Sequence, residues 1–359
     1  MKTILKFSST LLFSLFLVQC RTLDVQSAAQ KPEIPKGFVP LASEALVTAG
    51  KSEAASYAND GKKIIFISAE RSQHKLRQAY ETRVDSSKEK RLTFQDGEVV
   101  SALYATDGSS FYYASSTDEI KEDPDFIRDY RAQIQNAAKN GSKTNAETDF
   151  LGRSLARTEI YFSNREGSTI QRLTKSPGFD GSLFLTADGK ALYSISRKSG
   201  AFKAYVSRPP KGNQTPVGRS SQSEFYVAQS PKWTVISAGT EDLKKSQLEI
   251  SRTGFKPVAI TRLGNNSIQP SWHPAGDWII FSSNEADSFN YELYLVRRDG
   301  ECLTRLTYTI ENEFEPQFNP KSASNEFIYT LQDSAKSSIA IVKNFTLPVC
   351  ATEMKKEFK

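Results

Sequence analysis

Beyond residue 50 the chain runs in short stretches of alternating apolar and polar positions, each bounded by a turn. Asp60-Gly61 precedes Lys62-Lys63-Ile64-Ile65-Phe66-Ile67-Ser68, and Asp188-Gly189 precedes Lys190-Ala191-Leu192-Tyr193-Ser194-Ile195-Ser196. Asp107-Gly108 stands before Phe111-Tyr112-Tyr113-Ala114-Ser115, and Ala275-Gly276 before Trp278-Ile279-Ile280-Phe281-Ser282-Ser283. Weaker copies run over 231–236 and 325–330. β-branched and aromatic residues punctuated in this way predict strands rather than helices, with Gly supplying the positive φ of each turn. A second series checks the first. Arg91-Leu92-Thr93 lies 30 residues after Gly61, Arg305-Leu306-Thr307 lies 29 after Gly276, and Arg172-Leu173-Thr174 lies 64 after Gly108. The second unit therefore holds about 34 extra residues, and without them the units recur every 43–50 or so, near the spacing of four-stranded propeller blades. The predicted fold is all-β: a six-bladed β-propeller with one helical insertion in blade two.

That insertion spans about residues 118–156, between the second and third strands of its blade. Asp123 reads as a helix cap, Pro124 as the first helical position and Asn140-Gly141 as the stop. Asp125 and Asp129 suit the positive end of such a helix and Lys139 the negative end. Phe126, Tyr130, Ile134 and Ala138 recur every four residues and give one apolar stripe. The helix is expected over the propeller mouth, as a plug or as a partner surface. The sixth unit lacks an Arg-Leu-Thr strand. The stretch Val39-Pro40-Leu41-Ala42-Ser43-Glu44-Ala45-Leu46-Val47 is expected to supply it and close the ring, the tail near Val349 being the alternative.

The first twenty residues break the pattern. Lys2 and Lys6 precede the apolar run Leu11–Val18, which reads as a secretory signal over residues 1–19. Gln19-Cys20 follows, and the segment resembles a bacterial lipobox. Leu17 suits the position three before the cysteine, whereas Gln19 departs from the usual Gly, Ala or Ser. That resemblance implies that Cys20 is acylated and becomes the mature N-terminus, with Arg21 in place of Asp favouring the outer membrane. Residues 20–38 have neither helical nor strand period and read as a flexible tether. Residues 39–350 are assigned to the propeller and 351–359 to a solvated tail.

Composition narrows the classes. Among 359 residues, 47 Lys and Arg stand against 41 Asp and Glu, and loss of Lys2 and Lys6 with the signal leaves about +4. Such a charged chain is no polytopic membrane protein, and its charge is too shallow and dispersed to imply a nucleic-acid partner. Length alone suggests two domains, but the repeat replaces them with one ring. Two histidines leave little room for His-based chemistry, and no His-Glu-x-x-His, Gly-x-Ser-x-Gly or Cys-x-x-Cys motif occurs. No metal, cofactor or catalytic residue is assigned. His273 falls in a turn and reads as structural, and Asp60, Asp107 and Asp188 read as turn formers rather than cation ligands. Cys302 and Cys350 would both be exported and could pair, or remain a buried and a tail thiol.

The units resemble the WD40-like repeats of the TolB-type six-bladed propeller. Pro270-Ser271-Trp272-His273-Pro274-Ala275-Gly276, Glu292-Leu293-Tyr294 and Arg305-Leu306-Thr307 form the nearest copy. One departure is plain: no space for a preceding α/β domain lies between Cys20 and the first blade. The resemblance implies a non-enzymatic scaffold for envelope proteins, a peptidoglycan-associated one among them, held at the outer membrane and facing periplasm or cell surface. Residues following second strands share one face, so Arg71, Asp118, Arg197, Glu241 and Asn284 are expected to contact a partner together with Phe126 and Tyr130. The rival readings are a propeller hydrolase or lyase using carboxylates at the mouth, and a surface adhesin or glycan-binding lipoprotein.

Overall fold

The computed structural model describes residues 33–36, 38, 40–45, 51–122 and 157–359, apart from isolated positions, and five residues between 123 and 156. The leader, including Cys20, and most of the insertion lie outside the described residues. Among the described residues, no helix is long and apolar enough to cross a membrane.

Residues 33–359 build six antiparallel sheets of four strands each. The first strand is β1 (Ser43–Ala45). Blade one then takes β2 (Lys51–Tyr57), β3 (Lys63–Ala69), β4 (Gln78–Arg83) and β5 (Lys90–Arg91). Blade two takes β6 (Val99–Tyr104), β7 (Ser110–Ser115), β8 (Glu159–Asn164) and β9 (Ile170–Arg172). Blade three follows with β10 (Asp180–Leu185), β11 (Leu192–Ser196), β12 (Lys203–Ser207) and β13 (Thr215–Pro216). Blade four is β14 (Ser223–Gln229), β15 (Thr234–Gly239), β16 (Ser246–Arg252) and β17 (Phe255–Ala259). Blade five is β18 (Ser267–Trp272), β19 (Trp278–Asp287), β20 (Asn290–Arg297) and β21 (Thr304–Arg305). Blade six has β22 (Asn312–Phe318), β23 (Phe327–Gln332) and β24 (Ser337–Val342), with β1 as its outer strand. Ser43, Glu44 and Ala45 lie opposite Val342, Ile341 and Ala340, so the N-terminal segment closes the ring.

Second strands carry the core. Phe66, Phe111, Ile195, Val235, Phe281 and Phe327, one per blade, are fully buried between neighbouring sheets. Their turns are as the Asp-Gly pairs foretell. Asp60 Oδ1 accepts the Lys62 N–H at 2.8 Å, and Asp107 Oδ1 accepts those of Ser109 and Ser110, both at 2.8 Å. Gly61 and Gly108 stand at φ 67° and 64°, where a side chain would be strained.

The Arg-Leu-Thr triplet has a definite mechanical role. Its Thr hydroxyl accepts an N–H of the third strand: Ala79 to Thr93 at 2.9 Å, Ile160 to Thr174 and Leu293 to Thr307 at 2.8 Å. Its Arg folds back so that Nε donates to the Thr carbonyl, at 2.6, 3.0 and 2.8 Å in blades one, two and five. The triplet thus continues the ladder after backbone pairing has ended.

One expectation is not confirmed and another needs correction. A short helix, α1 (Thr117–Glu122), opens the insertion. The longer capped helix is not established, because Asp123, Pro124, Phe126, Tyr130, Ile134 and Ala138 lie outside the described residues. The C-terminal residues are not a solvated tail either. Phe358 is 4% exposed and stacks on Trp233 at 5.5 Å and edge-on to Phe255 at 5.6 Å. Backbone carbonyls along the same segment accept from arginines of blades four and five: Glu353 from Arg297 at 3.0 Å, Glu357 from Arg252 at 3.2 Å, Phe358 from Arg298 at 2.8 Å. One buried aromatic and a row of cationic donors outweigh the charge of the surrounding lysines. The root of this strap is the disulfide Cys302–Cys350, with Cα atoms 5.7 Å apart.

Candidate functional site

Strand direction sorts the ring into two faces. Turns between first and second strands, and between third and fourth, share one. Second-to-third loops and inter-blade loops share the other, and the insertion belongs there.

The loop face gathers the polar residues expected to meet a partner, and it employs them internally. Arg71 lies over the Tyr80 ring at 4.2 Å and pairs with Glu89 at 2.5 Å. Asp118, in α1, accepts the Tyr161 hydroxyl at 2.8 Å and pairs with Arg172 at 3.4 Å. Arg172 also reaches Glu122 at 3.1 Å, so the root of the insertion is fixed to blade two from both ends of α1. Arg197 of blade three and Glu241 of blade four pair with each other at 2.8 Å across the seam. Asn284 is buried, accepting the Asn266 N–H at 2.8 Å and donating to the Ser288 carbonyl at 3.0 Å.

Beneath this face, two seams repeat one carboxylate clasp. Between blades two and three, Glu159 Oε1 takes Arg172 at 3.1 Å and the Ser176 N–H at 2.9 Å, while Ser176 Oγ donates to Asp180 at 2.7 Å. Between blades five and six, Glu292 Oε1 takes Arg305 and the Thr309 N–H, both at 2.9 Å, while Thr309 Oγ1 donates to Glu313 at 3.3 Å. Burial pushes Asp180 up, opposed by hydrogen bonds from Ser176, Ser196 and Gln214. Burial, and next the neighbouring Glu292 carboxyl, pushes Glu313 up to about 8.

The opposite, turn face holds the cavity. It measures about 430 Å³ and is walled by the first strands of all six blades. Lining residues such as Tyr57, Asn59, Thr186, Ser230 and Pro320 belong to the ends of those strands nearest the Asp-Gly turns. Every first strand slips register against its neighbour at one point. In four of them the bulged residue adopts a left-handed conformation: Ala54, Ser182, Gln269 and Glu315, with φ between 49° and 55°. Such bulges re-aim side chains, here into the bore.

Those side chains latch one blade to the next. Gln269 Oε1 accepts the Glu315 N–H at 3.0 Å, and Glu315 Oε2 accepts the Ala54 N–H at 2.6 Å. Two residues further on, Ser271 Oγ accepts the Phe318 N–H at 3.3 Å and Gln317 Oε1 that of Tyr57 at 2.7 Å. His273 also lines the bore, but its Nδ1 accepts the Ala275 N–H at 3.2 Å and its Nε2 lies 3.0 Å from Asn325 Oδ1. The structural reading of His273 is the one its contacts support. Sequence patterning missed the bulge residues, since a one-residue slip leaves no mark on alternation. The one available signal was the recurrence of Gln269-Pro270 and Glu315-Pro316 at matching positions.

No family model matches the chain. A protein TolB homolog of Chlorobium luteolum is 24% identical over 140 residues, which are 39% of this chain and 31% of that protein. The match thus spans about a third of the relative's length. Among solved structures, TolB from Acinetobacter baumannii is similar with a TM-score of 0.56 and 16% identity, over 77% of this chain and 59% of that one. A putative TolB from Agrobacterium tumefaciens gives 0.53 and 15%, over 84% and 92%. Tricorn protease gives 0.54 and 15%, over 85% and 27%, so the fold alone does not separate binding proteins from enzymes. The chain is TolB-like: a six-bladed propeller whose sequence likeness to a TolB homolog covers part of the ring.

Proposed function

We propose that this protein is a lipid-anchored scaffold of the bacterial envelope, acylated at Cys20 and held at the outer membrane by a tether that ends near Phe38. Its partner is another envelope protein, of the peptidoglycan-associated kind, engaged on the loop face. The observation that carries this reading is the fixed root of the insertion: Arg172 holds Asp118 and Glu122 while Tyr161 holds Asp118 again. A segment displayed from a rigid ring binds at lower entropic cost than one on a mobile stalk. TolB likeness in fold and partial sequence supports the same reading. Arg197 and Glu241 remain solvent-accessible enough to exchange their mutual ion pair for one with a partner. An enzymatic reading has less support, because Glu315 in the bore already accepts from Ala54 N and Thr330 Oγ1.

The test uses the mature chain with and without residues 120–155 as bait for envelope extracts. A scaffold recovers one partner with the first bait and loses it with the second. Equal recovery by both removes the insertion from recognition. Separately, Cys20→Ala should move the protein from the detergent phase to the aqueous phase; persistence in detergent ends the lipid-anchor reading.

A further inference from the structure

We propose that the central cavity is a binding site for a short neutral saccharide. Its volume of about 430 Å³ falls within the roughly 300–1,000 Å³ typical of small-molecule sites. Chemistry then selects the ligand. Glu315 and His273 are the lining residues that can carry charge near neutral pH, and both already bond to protein groups, so the rest of the wall meets a ligand through neutral side chains.

Its wall carries both apolar side chains and neutral polar groups. Inner strands contact in ring order, which sets blade three opposite blade six and blade four opposite blade one. Blade three presents Leu183, Phe184 and Leu185, half-buried, and blade four adds the half-buried Tyr226. Blades five and six present Gln269, Ser271 and Gln317. Backbone N–H groups hold the Oε1 atoms of both glutamines, which turns their amide N–H groups from the wall toward the bore. Ser271 Oγ is likewise held as an acceptor, leaving its proton to donate. Neutral donors in fixed positions thus face an aromatic and aliphatic wall. A pyranose ring has the matching division: one C–H face that stacks on aromatic rings, and an edge of hydroxyls that accept and donate. The latches keep this arrangement in place before any ligand arrives.

Because the saccharide site is built from the first strands and the scaffold reading rests on the root of the insertion, the two fail separately. Isothermal titration of the mature chain with cellobiose and with N,N′-diacetylchitobiose, beside an end-blocked Ala-Ser-Gln-Ser-Ala peptide, tests the site. Binding of at least one disaccharide is expected, weakened about tenfold or more by Phe184→Ala through loss of the stacking face and kept within about threefold by Phe184→Tyr. Should Phe184→Ala fail to fold, Tyr226→Ala provides the same reading from the adjoining blade. No heat with either sugar at concentrations on the order of 10 mM overturns the proposal. So does sugar binding indifferent to both aromatic variants, or binding of the peptide alone.

Discussion

Two seams of this ring are made from one sequence pattern and yet differ in character. Between blades two and three, Glu159, Arg172 and Ser176 lead to an aspartate, Asp180, which is also reached by Gln214 Nε2 at 3.3 Å. Between blades five and six, Glu292, Arg305 and Thr309 lead to a glutamate, Glu313, one methylene longer and with its second carboxyl oxygen buried without a donor. The first seam satisfies its second acid with hydroxyl and amide donors. The second sets two buried carboxyl groups side by side with Arg305 on Glu292 alone, and burial, then the Glu292 carboxyl, pushes Glu313 up. The same motif therefore gives a polar clasp in one place and a proton-sharing clasp in the other.

The largest expected effect comes from removing Arg305. Arg305→Ala leaves the buried Glu292 carboxyl without its cation and should cost about 3–5 kcal/mol in urea denaturation. Arg172→Ala should cost less, since Asp180 keeps its own donors. Equal losses would erase the distinction. Next is the covalent tie that only the second region has. Cys302→Ala with Cys350→Ala should lower stability by about 2–4 kcal/mol, read as a fall in Tm that reductant reproduces in the parent protein. No such sensitivity is expected of variants confined to blades two and three.

The third effect is one of pH. Unfolded Glu313 titrates near 4.5, folded Glu313 at about 8, so between those values the folded state holds a proton that the unfolded chain has released. Stability therefore falls as pH rises through that window and levels off above it, by roughly 2 kcal/mol or more. Glu313→Gln should flatten the slope, and Asp180→Asn should change it less. A pH profile unaltered by Glu313→Gln would falsify the shared proton. The smallest effect separates the hydroxyls. Ser176→Ala should cost about 1 kcal/mol and Thr309→Ala less, because its hydrogen bond to Glu313 is longer, at 3.3 Å against 2.7 Å.

Much of this ring could be read from the chain before any coordinates. Turn pairs such as Asp60-Gly61 and triplets such as Arg172-Leu173-Thr174 act within one blade, over distances that sequence spacing records. The closing strand was legible for a related reason: a repeat short of one strand announces the vacancy. What escaped were long-range matches. Nothing near Phe358 signals that Trp233 and Phe255 wait for it across two blades, and a lysine-rich terminus suggests solvent. The loop-face residues were located by topology but not by partnership. Asn284 is buried because its side-chain carbonyl serves the N–H of Asn266, 18 residues earlier in the chain, and no local pattern records that match. The bore was missed for a third reason: its geometry depends on bulges, which shift register without altering composition.

The closing strand also sets an order of events in time. β1 precedes every other strand of the ring in the chain, but its partner β24 follows them all. During vectorial synthesis, Ser43–Ala45 must stay unpaired while five blades form behind it. Ring closure is then a late, high-contact-order step, slow by the entropy of the loop it closes. Until it occurs, the free edge of blade six is the place where a nascent chain is open to a chaperone, or to a neighbouring copy of itself.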